Sequence, residues 1–238
     1  MTKRNAKRSN VVELEVGQSE NRRSFKSYAL EARNPEQKKF INTIKNFSVT
    51  VGIGAAGTGK TMIAAVLAAQ ALEAGTYDHI VLIRPNEPLG KSIGALPGDH
   101  LAKLEPYIAP FRDGLERVIS KGYLKYLLNP DNTGAVWIEV VGVEFLRGRT
   151  FNNAFILVDE AQNLSVEAMK CLLTRFGEGS KMVITGDIDQ MDIKGESGLQ
   201  LLLDINDSYE RKPMAVVTLE TCERSAEAAF FLEATKSR

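Results

Sequence analysis

VTVGIGAAGTGKTMIAAVLAAQAL, residues 49–72, carries GAAGTGKT at 54–61, a full match to the phosphate-binding loop G-x-x-x-x-G-K-[ST]. Phe47, Val49, Val51 and Ile53 alternate as a strand does, and after the loop Ile63, Val66, Leu67 and Ala71 recur at helical spacing. Strand, loop and helix stand in the required order, a context that a chance glycine-rich turn lacks. The glycines let the backbone turn several N–H groups and a helix N-terminus toward negative charge. The nucleotide-binding set is therefore Gly54, Ala55, Ala56, Gly57, Thr58, Gly59, Lys60 and Thr61. Lys60 is placed to reach the β- and γ-phosphates, and the Thr61 hydroxyl to join the coordination of a Mg²⁺ bridging them. These residues point to an enzyme acting on a nucleoside triphosphate, with Mg²⁺ as its companion ion.

The 238 residues suffice for one large α/β domain and are only marginally long for two. Thirty basic and thirty acidic side chains cancel, so any binding of nucleic acid has to rest on local patches. Such a patch opens the chain: Lys3, Arg4, Lys7 and Arg8 precede any acidic residue, and Arg22, Arg23 and Lys26 follow, within a polar segment 1–30 that reads as a mobile, solvated tail. Cys171 and Cys222 are the only cysteines and His79 and His100 the only histidines, which indicates neither a disulfide framework nor a structural zinc site. Both cysteines read as buried small apolar residues in a reducing compartment. With no apolar leader at the N-terminus and no stretch long enough to cross a membrane, the expected location is the cytoplasm.

Residues 31–238 read as one domain. Asn34-Pro35-Glu36 has the form of a helix start, and a short helix to about Ile44 follows. Strands are expected over 79–83, 135–141, 155–158, 182–185 and 214–219, separated by helices. This alternation argues for a mostly parallel sheet flanked by helices on both faces. Residues 84–99, RPNEPLGKSIGALPGD, form a loop too long for a simple connector, and 100–128 read as a helical insert against the sheet, broken near Pro106 and Pro110.

Two further segments carry chemistry. AFILVDEAQN, 154–163, is an apolar strand ending in Asp159 and Glu160, and a parallel sheet gathers its ligands at the strand carboxyl ends. Asp159 is assigned to Mg²⁺, and Glu160 to the water that attacks the γ-phosphate. The next strand ends in VITGDIDQMD, 183–192, where the Gln190 amide can donate to a phosphate and accept from that water.

The DEAQN box with its leading RGRTFNNAFILV, the RP…LG…LPGD loop, the TGD-x-x-Q segment and the following SGL together resemble the PhoH family of ATPases, from about residue 30 to the end. The resemblance implies a single RecA-like P-loop ATPase domain related to the superfamily-one helicase core, with a role in RNA metabolism. It implies roles for the loop residues, Asp159, Glu160 and Gln190 as above, and for Gln37, in Asn34-Pro35-Glu36-Gln37, as the contact to the adenine edge. Where the family commonly ends its last strand D-V-V-R-H-P, this chain has ETCERS at 220–225; the arginine persists as Arg224 without the His-Pro. Longer relatives carry an attached nuclease domain, for which this length leaves no room.

A single RecA-like domain lacks the second wall of a helicase crevice, so a homo-oligomer, a six-membered ring by analogy, is the expected assembly, with Arg224, Arg147 or Arg149 reaching a neighbour's γ-phosphate. Three function classes compete. The first is an ATP-driven remodeller or helicase for RNA or single-stranded nucleic acid, with Arg84, Lys91, Lys103 and the basic tail contacting phosphates. The second is an ATP-driven switch or assembly factor acting on proteins, kept open by the zero net charge. The third, a P-loop kinase, is disfavoured by Glu160 and by the lack of an arginine-rich lid.

Overall fold

The computed structural model describes residues 24–85, 100–129, 131, 134–223 and 234. Helix α1 (Pro35–Asn46) starts as its sequence dictates: the Asn34 side chain accepts from Gln37 N–H, proline fills the first helical position and Glu36 supplies an acidic first turn. Strand β1 (Val49–Ile53) leads into the loop and α2 (Lys60–Glu73), then β2 (His79–Ile83), α3 (His100–Val118), α4 (Lys121–Leu127), β3 (Ile138–Val141) and β4 (Ala154–Val158). Helix α5 (Val166–Leu173), β5 (Lys181–Gly186), α6 (Gly198–Ser208) and β6 (Met214–Thr218) complete the order.

The six strands form one sheet in the order β3-β2-β4-β5-β1-β6, and every neighbouring pair is parallel. Strand β5 lies between the strand of the phosphate loop and the strand of the two carboxylates. That spacing opens a crevice at the carboxyl edge of a RecA-like P-loop core. Alternation along the strands divides the core: Ile80, Leu82, Phe155 and Leu157 meet α1 to α4 on one face, whereas Val81, Ile83, Ile156 and Val158 meet α5 and α6 on the other. Among the described residues no helix is long and apolar enough to cross a membrane.

Four expectations are corrected by packing. Helix α3 runs unbroken through Pro106 and Pro110. Each proline removes one helical N–H, but Ile108, Phe111, Leu115 and Val118 are buried in the core, and that burial outweighs the loss. The insert also packs chiefly on α2 rather than on the sheet. Helix α2 is buried on nearly all sides as a result. Strand β3 starts only at Ile138, with Val136 and Trp137 exposed before it. Both cysteines are partly exposed rather than buried.

The polar segment expected to end at residue 30 contains an attached strap. Ser120 N–H donates to Ser24 O, Phe25 sits edge-on to Tyr123 at 5.3 Å, and Gln70 Nε2 donates to Tyr28 O at 2.7 Å. The remaining basic residues of that segment, Lys3 to Arg23, lie outside the described residues.

Where α2 and α3 cross, a Cβ added at Gly114 would stand 2.6 Å from Ala65 Cβ and 2.7 Å from Met62 O. Neither neighbour is a flexible side-chain end. Gly114→Ala is therefore expected to destabilise the chain by about 1–3 kcal/mol through overpacking. Denaturant unfolding checks this, with an unchanged midpoint as the contrary result.

Candidate nucleotide site

The loop between β1 and α2 is shaped by its glycines. Gly54, Gly57 and Gly59 take φ of 141°, 91° and 90°, and a Cβ at Gly54 would fall 1.9 Å from Leu219 O, so side chains are barred there twice over. Gly59 ends the loop as the N-cap of α2 and offers no side-chain cap, leaving the helix terminus for an anion. Lys60 is nearly buried and folds back over the loop, its Nζ donating to Gly54 O at 2.5 Å and Ala55 O at 2.8 Å.

Opposite the loop, β4 delivers Asp159, which is buried. Its Oδ1 accepts from Thr61 Oγ1 at 2.9 Å and from Thr185 Oγ1 at 2.7 Å, joining the ends of α2, β4 and β5 at one oxygen. Glu160 follows in the left-handed region, φ 54° and ψ 38°, a conformation that a side chain with a Cβ seldom adopts. The turn re-aims the chain so that two consecutive residues both serve the crevice. Gln162, 1% exposed, donates from Nε2 to Glu160 Oε2 at 2.6 Å and accepts from Asp187 N–H at its Oε1 at 3.0 Å. Arg84, at the end of β2, approaches Glu160 Oε1 at 3.5 Å. Gln190 closes the 3₁₀ turn Ile188–Gln190, its Nε2 donating to Asp187 Oδ2 at 2.6 Å.

These groups surround a cavity of about 480 Å³ lined by Gly57, Gly59, Lys60, Thr61, Asp159, Glu160, Asp187 and Gln190, with Pro110, Asp113 and Arg117 of α3 on its far side. Lys60 and Arg117 are its two cations against four carboxylates, Asp113, Asp159, Glu160 and Asp187. A polyphosphate enters such a lining favourably only in company with a cation. The oxygen pair Thr61–Asp159 fits Mg²⁺, which takes oxygen ligands and few protein groups.

Over residues 29–235 the chain matches the family described as PhoH-like protein. It belongs to the PhoH family. A PhoH-like protein of Synechocystis sp. is 40% identical over 209 residues, 82% of this chain and 62% of the relative. Protein PhoH of Escherichia coli (strain K12) is 38% identical over 197 residues, 82% of this chain and 55% of the relative. The chain thus spans little more than half the length of these curated relatives. Among solved structures, Pif1 helicase from Candida albicans aligns over 87% of this chain and 44% of its own, at 14% identity and a TM-score of 0.46.

In this PhoH-family chain Ala56, Gly57, Gly59, Lys60 and Thr61 of the loop share the cavity with Asp159, Glu160 and Gln190, whereas Gly54, Ala55 and Thr58 do not line it. Gln37 does not face the cavity. It is 3% exposed, its Nε2 donates to Thr58 O at 3.0 Å and its Oε1 accepts from Arg33 N–H at 2.9 Å, so the amide braces the phosphate loop at one end and the segment before α1 at the other. Arg149 is also withdrawn from the role of a reaching arginine: its guanidinium bonds both oxygens of Glu139 and lies 4.8 Å over the Phe151 ring. Arg147 is exposed. Arg224 and Lys91 lie outside the described residues, as does the Lys103 side chain.

Sequence reasoning missed Thr185, Gln162, and the α3 wall. It also missed the use made of 220–223, the segment that departs from the family pattern. There Glu223 N–H donates to Gly57 O, Asn34 Nδ2 donates to the Glu223 carboxylate at 2.6 Å, and Glu36 accepts from Glu220 and Thr221 N–H. The backbone amides of Thr221 and Glu220 hold the Glu36 carboxyl below its ordinary range. A lowered folded-state value means this tie is complete at neutral pH and is lost as pH falls through it.

Since Gln37 braces the loop, Gln37→Ala is expected to weaken ATP and GTP by the same factor, about tenfold for a lost buried hydrogen bond. Equilibrium titration with both nucleotides checks this. A loss confined to ATP would restore the base-contact reading.

Proposed function

We propose that the chain is a Mg²⁺-dependent ATPase whose hydrolysis is coupled to RNA or single-stranded nucleic acid, acting as a homo-oligomeric ring. The observation that carries the reading is a cavity in which Asp159, bonded to Thr61 of the phosphate loop, and the adjoining Glu160 both line the wall facing that loop. A protein that only bound nucleotide would not need the second carboxylate beside the first.

In this reading Lys60 exchanges its loop carbonyls for the β- and γ-phosphate oxygens as the nucleotide seats. Thr61 and Asp159 would hold Mg²⁺, which supplies charge neutralisation across the two phosphates. Glu160 accepts a proton from the attacking water as its oxygen bonds to the γ-phosphorus and the bond to the bridging oxygen breaks, releasing ADP and phosphate. Gln190 senses the γ-phosphate, and Gln162 keeps it in step with Glu160 through Asp187.

Two substitutions separate the roles. Lys60→Ala is expected to lose nucleotide binding and turnover together, because the main charge on the phosphates is gone. Glu160→Gln is expected to keep ATP bound while turnover falls by about 10² or more. Isothermal titration alongside phosphate release distinguishes them, and equal binding loss in both would show the carboxylate roles to be wrong.

The ring is supported by the shortage of cations lining the cavity and is tested by subunit mixing. Glu160→Gln subunits retain Arg224, and Arg224→Ala subunits retain Glu160. Mixed assemblies should recover part of the activity, because some interfaces unite both intact halves. A monomer at working concentration, or no recovery in verified mixed assemblies, removes the trans-acting arginine.

A further inference from the structure

We propose that Arg84 is a releasable catch on Glu160: it holds the carboxylate while unoccupied and gives it up when a nucleic-acid phosphate takes its guanidinium. The inference rests on the ATPase reading and names how that same site is regulated.

The Glu160 carboxylate is gripped at both oxygens, and the two grips differ in kind. Gln162 holds Oε2 at 2.6 Å from within the core, 1% exposed and tied at its other end to Asp187 N–H. Arg84 holds Oε1 at 3.5 Å, with the two side chains 31% and 35% exposed. A half-exposed ion pair at that separation is weak, and a phosphate offers a guanidinium a better, two-pronged partner. One side of the clamp is therefore fixed and the other open to exchange. While Arg84 occupies Oε1, that oxygen is drawn toward β2 and away from the phosphate loop.

Position identifies what makes the exchange. Arg84 ends β2, which lies beyond β4 from the loop strand; β1 is three strand places away, or about 14 Å at ordinary strand spacing. Glu160 lines the nucleotide cavity and Arg84 does not. The anion that competes for Arg84 is thus a second one, outside the nucleotide. Next to β2 stands the edge strand β3, whose carboxyl end leads into the short turn Val143–Phe145. Phe145 is 60% exposed there and Arg147 is exposed two residues on. Arg84 after β2 and Phe145 and Arg147 after β3 thus follow neighbouring strands at the same carboxyl edge of the sheet, where a phenyl ring offers stacking to a base and guanidinium groups offer charge to its phosphates, the combination by which unpaired nucleic acid is held. An acidic peptide would use the cations and leave the ring without a partner.

Linkage makes the proposal testable by binding alone. If Arg84 is shared between Glu160 and a phosphate, removing the Glu160 charge must tighten nucleic-acid binding, and only through Arg84. The probe is a fluorescent single-stranded oligouridine titrated into the full chain, its Glu160→Gln and Arg84→Ala variants, and the double variant. Neither substitution opens the core, since both side chains are about one-third exposed. Glu160→Gln is expected to bind about two- to fivefold more tightly, the span of an exposed ion pair, and this gain should vanish in the Arg84→Ala background. In turnover, Arg84→Ala should raise the rate without oligonucleotide and lower its stimulation by oligonucleotide.

An equal effect of Glu160→Gln in both backgrounds, or none in either, overturns the catch. So does a turnover in Arg84→Ala that falls with and without oligonucleotide alike, which would make Arg84 a helper of the chemistry. Coupled binding without ATP turnover in the parent chain would refute the ATPase reading and leave the catch standing. Failure of all four proteins to bind the probe would overturn the nucleic-acid reading and the catch together.

Discussion

Asp159 Oδ1 is the point on which the site depends. One oxygen accepts from Thr61 at the start of α2 and from Thr185 near the end of β5, and its residue ends β4. Three elements far apart in sequence are thereby held at one atom, and Asp159 N–H is itself bonded to Ile83 O of β2. A buried carboxylate is costly unless its lone pairs are filled, so the hydroxyls satisfy Asp159 as well as placing it. Because β5 lies between β1 and β4, the strands alone leave the phosphate loop and the carboxylates two spacings apart. The Thr61–Asp159 contact bridges that distance.

Glu160 extends the same junction by a strained step. Continuing the strand direction after Asp159 would turn the next side chain to the opposite face of the sheet, away from the cavity. A left-handed residue corrects that, and such strain persists where its surroundings over-determine it. Here the fixed partner is the buried Gln162, bonded to the Glu160 carboxylate. Gly186 is needed for the same reason, since a Cβ there would come within 2.8 Å of Gln162 Oε1 and 2.7 Å of Leu199 Cδ2.

What could be read from the sequence was what has a local signature. The phosphate loop declares itself by fixed spacing, the strands by short apolar runs, and Asp159-Glu160 by ending such a run. Helix α1 was legible from Asn34-Pro35-Glu36 because capping is local chemistry. Contacts without a pattern stayed hidden. Thr185 meets an aspartate 26 positions earlier, and Glu36 meets amides 184 and 185 positions later. Gln37 was legible as important but not as a brace, because its partner Thr58 is set by the tertiary fold. The prolines of α3 misled for the converse reason: propensity is local, and the burial that overrides it is not.

The charges around the cavity bear on the proposed assembly. Of its two lining cations, Lys60 belongs to the loop, and Arg117 donates to Tyr28 Oη at 3.0 Å with its guanidinium 5.4 Å over the same ring. Arg117 is thus committed to the strap that joins residues 24–33 to α3. Arg84 is on the far side of Glu160, and Arg149 is spent on Glu139. A transferring phosphoryl group gathers negative charge on three oxygens, and four carboxylates in the lining oppose it. Under the proposed hydrolysis, these described residues leave a place for a further cation, which the proposed ring would supply from a neighbouring subunit.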